Sequence, residues 1–267
     1  MNKIFGFIGI GNMGFSMLQG ANKAFSKEQL IYTDISEKRV QWVEEQTGIK
    51  GTNSNLECIQ DTKIIILAIK PQYYEEVLNG IKGHITKDQI VISIAPGINI
   101  NKVKKTLGND IRVIRAMPNT PALIGEGMTA MAYSNDHYTE EEKELVNAFF
   151  TSFGECVALE EKLMDSVVPI IGSSPAYVFM FIEALADGAV KLGLSRDEAY
   201  KMASQTVFGS AKMVLETKEH PAVLKDQVCS PGGTTIEAVA ALEKNGFRNA
   251  ILEAVQKCYD KCERLGS

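Results

Sequence analysis

The sequence predicts an α/β domain with a mainly parallel sheet, followed by a second domain made of helices alone. Three observations carry this. Up to about residue 160, short β-branched runs alternate with segments of helical period. The run Lys63-Ile-Ile-Ile-Leu-Ala-Ile69 is apolar without a period of two, as for a central strand covered on both faces. After about Glu161 the strand signals stop and only helical periodicity continues, which divides the chain into 1–160 and 161–267.

In order, strands are expected at Lys3–Gly9, Gln29–Thr33, Lys63–Ile69, Gln89–Ile94, Ile111–Met117, Met128–Tyr133 and Cys156–Leu159. Between them, Val40, Val43 and Thr47 repeat on one helical face, and Thr139 with Glu142 makes a capping box ahead of Leu145, Val146 and Phe149. In the second half, apolar i, i+3, i+4 patterns run over Ala176–Leu192, Ala199–Leu215 and Phe247–Leu265, with Ser195 and Glu198 capping the second of these helices. His220-Pro221 and Cys229–Gly233 interrupt the periodicity as turns. The first two of these helices are apolar on more than one side, so a homodimer at least is expected, with assembly of dimers into a larger oligomer left open.

Composition narrows the function classes. With 28 basic against 33 acidic side chains the net charge is −5, which lacks the basic excess of a nucleic-acid binder. The five cysteines are scattered and odd in number, with no spacing for a structural metal, so no metal site is expected and a reducing cytoplasm is the expected compartment. Lys3 before the apolar stretch Ile4–Leu18 looks like a signal peptide, but the glycine spacing there has another explanation. The uncharged run Ser166–Ile182 falls short of a membrane span and is expected to be broken by Pro169, Gly172 and Pro175, so no membrane segment is expected.

Gly9-Ile10-Gly11-Asn12-Met13-Gly14 ends the first strand and opens a helix in GxGxxG spacing. In that context the first glycine allows a tight turn, the second lets the backbone approach a pyrophosphate, and the third packs the helix against the strand. The helix N-terminus then offers unpaired N–H groups and partial positive charge to the phosphates. Asp34, twenty residues after Gly14, stands where a carboxylate accepts from adenosine ribose hydroxyls, which favours NAD; Ser36, Lys38 and Arg39 nearby suit the 2′-phosphate of NADP. Asp34 has a structural alternative as an Asx cap of the Glu37 helix, and with these neighbours the choice between NADH and NADPH stays open. Ligands in such sheets sit beyond the carboxyl ends of the strands, which adds Ala68-Ile69-Lys70-Pro71 and Ala95-Pro96-Gly97 as candidates.

Over nearly its whole length the chain resembles the Δ1-pyrroline-5-carboxylate reductases. The resemblance is carried by Gly6-Phe-Ile-Gly-Ile-Gly-Asn-Met-Gly14, Ala68-Ile-Lys-Pro-Gln72, Val113-Ile-Arg-Ala-Met-Pro-Asn-Thr-Pro121, Gly172-Ser-Ser-Pro-Ala-Tyr177, Glu183-Ala-Leu-Ala-Asp-Gly188 and Leu224-Lys-Asp-Gln-Val-Cys-Ser-Pro-Gly-Gly-Thr-Thr-Ile236. It implies a Rossmann-type dinucleotide-binding domain and a helical dimerisation domain of two interlocked subunits. It further implies hydride delivery from NADPH, which the resemblance favours, or from NADH, which Asp34 keeps open, to C5 of (S)-1-pyrroline-5-carboxylate to give L-proline, the last step of proline biosynthesis. Residue by residue, Asn55, Ala68, Lys70 and Pro71 match cofactor-contacting positions, and Ser230, Gly233, Thr234 and Thr235 match the substrate loop.

The residues of that loop agree with the role. Gly232 and Gly233 let successive N–H groups converge at the start of a helix from Thr235, a nest for a substrate carboxylate. Ser230 adds a hydroxyl donor, and Thr235 is the candidate catalytic hydrogen-bond partner of the ring nitrogen. Two other readings compete. A β-hydroxyacid-type dehydrogenase uses a helix lysine followed four residues on by asparagine, whereas Lys191 is followed at that offset by Ser195. A non-catalytic NAD(P)-binding paralogue would carry a disabled substrate loop, which is intact here.

Overall fold

The structure is a computed structural model and describes residues 3–266. The strands are β1 (Lys3–Ile8), β2 (Leu30–Thr33), β3 (Gly51–Thr52), β4 (Thr62–Leu67), β5 (Ile90–Ser93), β6 (Arg112–Met117), β7 (Gly127–Tyr133) and β8 (Gly154–Ala158). They form one sheet in the order β3-β2-β1-β4-β5-β6-β7-β8, parallel throughout except that β7 runs antiparallel to β6. Six helices join them: α1 (Asn12–Ala24), α2 (Glu37–Thr47), α3 (Asn55–Gln60), α4 (Tyr74–Ile81), α5 (Ile100–Leu107) and α6 (Glu140–Thr151). The two-residue β3 has no apolar run of its own and was not legible in the sequence; its register is set by pairing with Tyr32 and Thr33.

The apolar run of β4 is explained by burial on both faces. Ile64 and Ile66 pack with Phe5, Phe7, Ile90 and Ile92 against α1 and α6, while Ile65 and Leu67 pack with Ile8 and Val91 against α4 and α5. Alternate side chains therefore enter two different cores, and neither face needs a polar residue. The sheet grows from β1 to β2 and β3 on one side, then returns to place β4 on the other. This reversal puts the switch point at the carboxyl ends of β1 and β4.

The remaining helices are α7 (Ser174–Lys191), α8 (Arg196–Thr217), α9 (Pro221–Val228), α10 (Thr234–Lys244) and α11 (Phe247–Gly266). His220-Pro221, expected as a turn, instead opens α9: the His220 Nδ1 accepts from the Ala222 N–H at 3.1 Å, and proline suits a first helical position whose N–H has no acceptor. Two compact units result, one formed by Met1–Ser173 with Cys258–Ser267 and the other by Ser174–Lys257. Strands give way to helices near residue 160, yet compact packing divides later. Met164, Val168 and Ile171 bury against Met117, Ala130 and Ala132 of the sheet, and Cys262 joins them.

Pro169, Gly172 and Pro175 do not break the helical stretch Val168–Lys191, contrary to expectation. Pro169 and Gly172 lie in a π-helical turn, Val168–Ser173, and Pro175 in the first turn of α7, where a missing N–H costs little. By length and composition alone, this stretch is apolar enough to cross a membrane. In the helical unit Phe179, Met180, Met202, Phe208 and Leu252 are all more than half exposed.

Candidate active site

The glycine turn lies at the switch point and is built by close approach. Gly9 has φ +90°, and a Cβ there would stand 2.7 Å from the Ala68 carbonyl oxygen; a Cβ on Gly14 would stand 2.4 Å from the Gly9 carbonyl oxygen. The backbone locks the turn between neighbours, with Gly9 N–H donating to Thr33 O and Ala68 N–H donating to Ile8 O, each at 2.9 Å. A Cβ on Gly11, by contrast, would meet nothing within 4 Å. Gly11 is the N-cap of α1, no side chain caps that helix, and no acidic residue occupies its first turn. Ile10 is buried, Met13 half-buried, and Asn12 exposed beside the turn. The open backbone at Gly11 and a helix N-terminus with no acidic residue in its first turn fit a dinucleotide pyrophosphate.

Asp34 is turned towards this loop. Its Oδ2 accepts from Ile10 N–H at 2.8 Å and its Oδ1 from Ser36 N–H at 3.0 Å. It does not cap the Glu37 helix, because Ser36 does so, its Oγ accepting from Arg39 N–H at 3.3 Å. The Arg39 Nε and Nη2 donate to Ile10 O and Gly11 O at 2.8 and 3.4 Å, so Asp34 after β2 and Arg39 in the first turn of α2 grip the glycine turn from acceptor and donor sides.

The other sheet-end candidates gather around the same edge. Ala68 follows β4 directly, beside Gly9 and 3.2 Å from where a Gly14 Cβ would sit. Ile69 is half-buried, while Lys70 and Pro71 are exposed at the start of a 3-10 turn, Pro71–Tyr73. The Ala95-Pro96-Gly97 loop after β5 is closed by Ile98 N–H donating to Ala95 O at 3.4 Å. Asn55 is the first residue of α3, half-buried, behind the Ser54 cap. Tyr74, missed in the sequence, ties two of these strand ends together: its hydroxyl donates to Leu67 O at 2.9 Å and lies 3.1 Å from Ser93 Oγ. Burial pushes this phenol up to about 12. Nothing in its sequence context separates it from the exposed Tyr73 beside it, because only the packing of α4 decides which of the two points inward.

In the helical unit, Ser230-Pro231-Gly232-Gly233 forms a tight turn, with Gly233 N–H donating to Ser230 O at 3.0 Å and Gly232 at φ +68°. Proline at the second position and a left-handed third residue are the requirements of a type II turn. The helix that follows starts at Thr234, one residue earlier than expected, with Gly233 as N-cap and no side-chain cap. The Gly233 N–H is spent on the turn, so the open donors are the N–H groups of Thr234, Thr235 and Ile236. The Ser230 and Thr234 side chains are exposed and Thr235 is half-buried, and none of the three hydroxyls has a protein partner among the described residues. Ser195 caps α8 by accepting from Glu198 N–H at 3.4 Å, and Lys191, the last residue of α7, is exposed.

Residues 161–265 match a family model described as pyrroline-5-carboxylate reductase dimerisation, and residues 4–97 match one described as NADP oxidoreductase, coenzyme F420-dependent. Among known proteins, the chain is similar to the pyrroline-5-carboxylate reductase of Escherichia coli, 48% identical over 268 residues and covering 99% of each. Among solved structures, it is similar to a pyrroline carboxylate reductase from Plasmodium falciparum with NADP bound, at 36% identity and a TM-score of 0.90, covering 100% of this chain and 99% of that one. A pyrroline-5-carboxylate reductase from Coxiella burnetii matches at 30% identity and a TM-score of 0.91, with both chains fully covered.

Proposed function

The chain belongs to the pyrroline-5-carboxylate reductase family, and from that premise we propose which of its own residues carry the reaction. The enzyme is an NAD(P)H-dependent oxidoreductase that reduces (S)-1-pyrroline-5-carboxylate to L-proline, the last step of proline biosynthesis. What the bound dinucleotide supplies is a hydride for C5 of the cyclic imine.

In our reading, residues 1–160 hold the dinucleotide. Gly9 to Gly14 cradle its pyrophosphate, Asp34 fixes the cradle from below, and Asn55, Ala68, Ile69, Lys70, Pro71, Ala95 and Gly97 border it at the strand ends. Residues 161–267 bind substrate and a second subunit. The observation that carries the substrate assignment is the uncapped start of α10, where three N–H groups and the Ser230, Thr234 and Thr235 hydroxyls lack acceptors or donors of their own. A substrate carboxylate satisfies the N–H groups and is favoured by the helix dipole, with Ser230 and Thr234 as side donors and Gly232 and Gly233 shaping the turn.

Thr235 is then the catalytic group. A protonated imine nitrogen has no lone pair; as C5 accepts hydride, the C=N π pair becomes a nitrogen lone pair. The Thr235 O–H donates to that developing pair, an interaction stronger in the transition state than in the bound substrate. No strong acid or base is required, because the proton is already on the imine.

The exposed apolar surface of α7 and α8 is covered by a second copy of the chain, giving a dimer at least, in a reducing cytoplasm. The matching family model is one of dimerisation, which favours a protein surface over a bilayer for this face. Incubation with pyrroline-5-carboxylate and each reduced dinucleotide is expected to consume the nicotinamide absorbance and produce proline. Absence of turnover with both dinucleotides refutes the assignment.

A further inference from the structure

The loop after β5, residues 94–99, is held at both ends by side chains from elsewhere in the chain. At its start the Tyr74 hydroxyl bridges Leu67 O and Ser93 Oγ. At its far end Glu161 Oε1 accepts from the N–H of Ile100 at 2.6 Å, across 61 residues of sequence. Between the two, Gly97 turns the backbone at φ +73°, and Ala95, Ile98 and Ile100 are buried with Val91 and Val103. Apolar burial is non-directional and sets how deep the loop sits, whereas the hydrogen bonds at its ends set its orientation.

Glu161 is itself fixed in place. It opens the 3-10 turn Glu161–Leu163, closed by Leu163 N–H donating to Glu160 O and Met164 N–H to Glu161 O, each at 3.0 Å. Just beyond, Asp165 pairs with the buried Arg115 of β6, and Met164 is buried against the sheet. All of these residues belong to the compact unit that carries the sheet. The carboxylate meets the first N–H of α5, a helix with no acidic residue in its first turn, whose N-cap Asn99 Oδ1 already accepts from Lys102 N–H at 2.8 Å. Such a charge-assisted bond is stronger than a neutral one and is favoured further by the helix dipole. The starts of α1 and α10 carry no side-chain cap, but the start of α5 is filled by the chain itself.

The strand order says which half of the dinucleotide this concerns. The adenosine ribose lies at the end of β2, on one side of the switch point between β1 and β4; β5 lies on the other side, with the nicotinamide half. We infer that Glu161 is a positioning residue for hydride transfer: through the N–H of Ile100 it fixes the 95–97 loop beside the nicotinamide, and so sets where the hydride stands relative to the imine. The inference rests on the reading that this sheet edge holds a nicotinamide dinucleotide.

The test uses the full chain with NADPH and with 2′,5′-ADP, which carries the adenosine half alone. Glu161→Ala removes the acceptor, and Glu161→Asp keeps the charge but is one methylene too short to reach Ile100. Both are expected to bind 2′,5′-ADP within about twofold of wild type, to weaken NADPH about threefold or more and to lower kcat about tenfold, part of the roughly 100-fold that a 1 Å misplacement costs. Glu161→Gln keeps an acceptor oxygen for the same N–H and is expected to stay within about threefold of wild type in NADPH affinity and kcat, with the KM for pyrroline-5-carboxylate unchanged. Wild-type NADPH affinity and kcat in Glu161→Asp overturn the inference, and a lowered melting temperature alone would leave Glu161 as a helix cap. Equal weakening of both probes overturns it as well, because the whole sheet edge has then loosened. So does a Glu161→Gln chain as impaired as Glu161→Asp, which would place the carboxylate on a ligand instead of on Ile100. Neither probe engages the substrate loop. A wild-type chain that binds NADPH but fails to reduce pyrroline-5-carboxylate therefore sinks the proposed function alone, and an active chain indifferent to Glu161→Asp sinks this inference alone.

Discussion

Gly11 and Gly14 differ by three positions in one motif, and the structure assigns them separable effects. A Cβ on Gly14 would stand 2.4 Å from Gly9 O and 3.2 Å from the Ala68 Cβ. Both are rigid walls, since Gly9 is hydrogen-bonded into the turn and α1 is pinned to the sheet by Phe15, Met17 and Leu18. Gly14→Ala must therefore push α1 away by on the order of 1 Å, at a cost of about 1–3 kcal/mol for overpacking. That corresponds to a fall in Tm of about 2–12 °C, and a 1 Å misplacement of the phosphate cradle costs roughly 100-fold in turnover. Gly11→Ala places its Cβ in open space at φ −61°, so stability is expected to change by less than about 0.5 kcal/mol. The same methyl occupies the path of the pyrophosphate, so dinucleotide affinity is expected to fall by about tenfold or more. The measurements are thermal melts at fixed protein concentration and titration of NADPH against the fluorescence of Trp42, the only tryptophan. Wild-type affinity in Gly11→Ala, or wild-type Tm in Gly14→Ala, refutes the reasoning.

Other outcomes follow from the remaining contacts. Thr235→Val is expected to lower kcat about 10- to 100-fold with NADPH affinity unchanged, and Thr235→Ser to restore most of the rate; an unchanged kcat in Thr235→Val shows that the hydroxyl takes no part. Asp34→Ala frees the N–H groups of Ile10 and Ser36, so affinity for NADH and NADPH should fall together by a few-fold to about tenfold; a change confined to one dinucleotide contradicts the inward role of this carboxylate. Burial pushes the phenols of Tyr32, Tyr74 and Tyr138 up to about 12 from 10.0. A raised folded pKa protects the protonated form, so their contribution to stability is complete below pH 10 and is lost as pH rises towards 12. Phenolate absorbance should show these three of the eight tyrosines ionising only with cooperative unfolding, and independent early ionisation of all eight refutes this. Sedimentation at micromolar concentration should show no monomer, whereas Phe179→Glu with Met180→Glu should release monomers; a wild-type monomer refutes the second-copy assignment.

Much of this was written locally. The glycine spacing, the doubly apolar run of β4, the Thr139–Glu142 capping box and the Ser195 cap each depend on a few adjacent residues, and each is present where the sequence places it. The parallel α/β order and the helical second half were legible for the same reason: hydrophobic period is a property of a short window. The Ser230–Thr235 turn was legible too, because proline and two glycines in sequence leave the backbone few alternatives.

What the sequence left open depended on residues far apart in the chain. Asp34 read as a ribose acceptor with a helix cap as the alternative, and only the approach of β1 to β2 shows it bonded to Ile10, 24 residues away. Arg39 was one of three neighbouring polar candidates until packing seated it on Trp42 and turned it to the Ile10 and Gly11 carbonyls. Tyr74 and Tyr73 are indistinguishable as letters, and the tilt of α4 buries one while exposing the other. Local propensity specifies which element forms and where the backbone must bend. Which side chains meet across the sheet end, and which donors are left unspent for a ligand, is decided by distant segments competing for the same hydrogen bonds, and that exists only once the chain has folded.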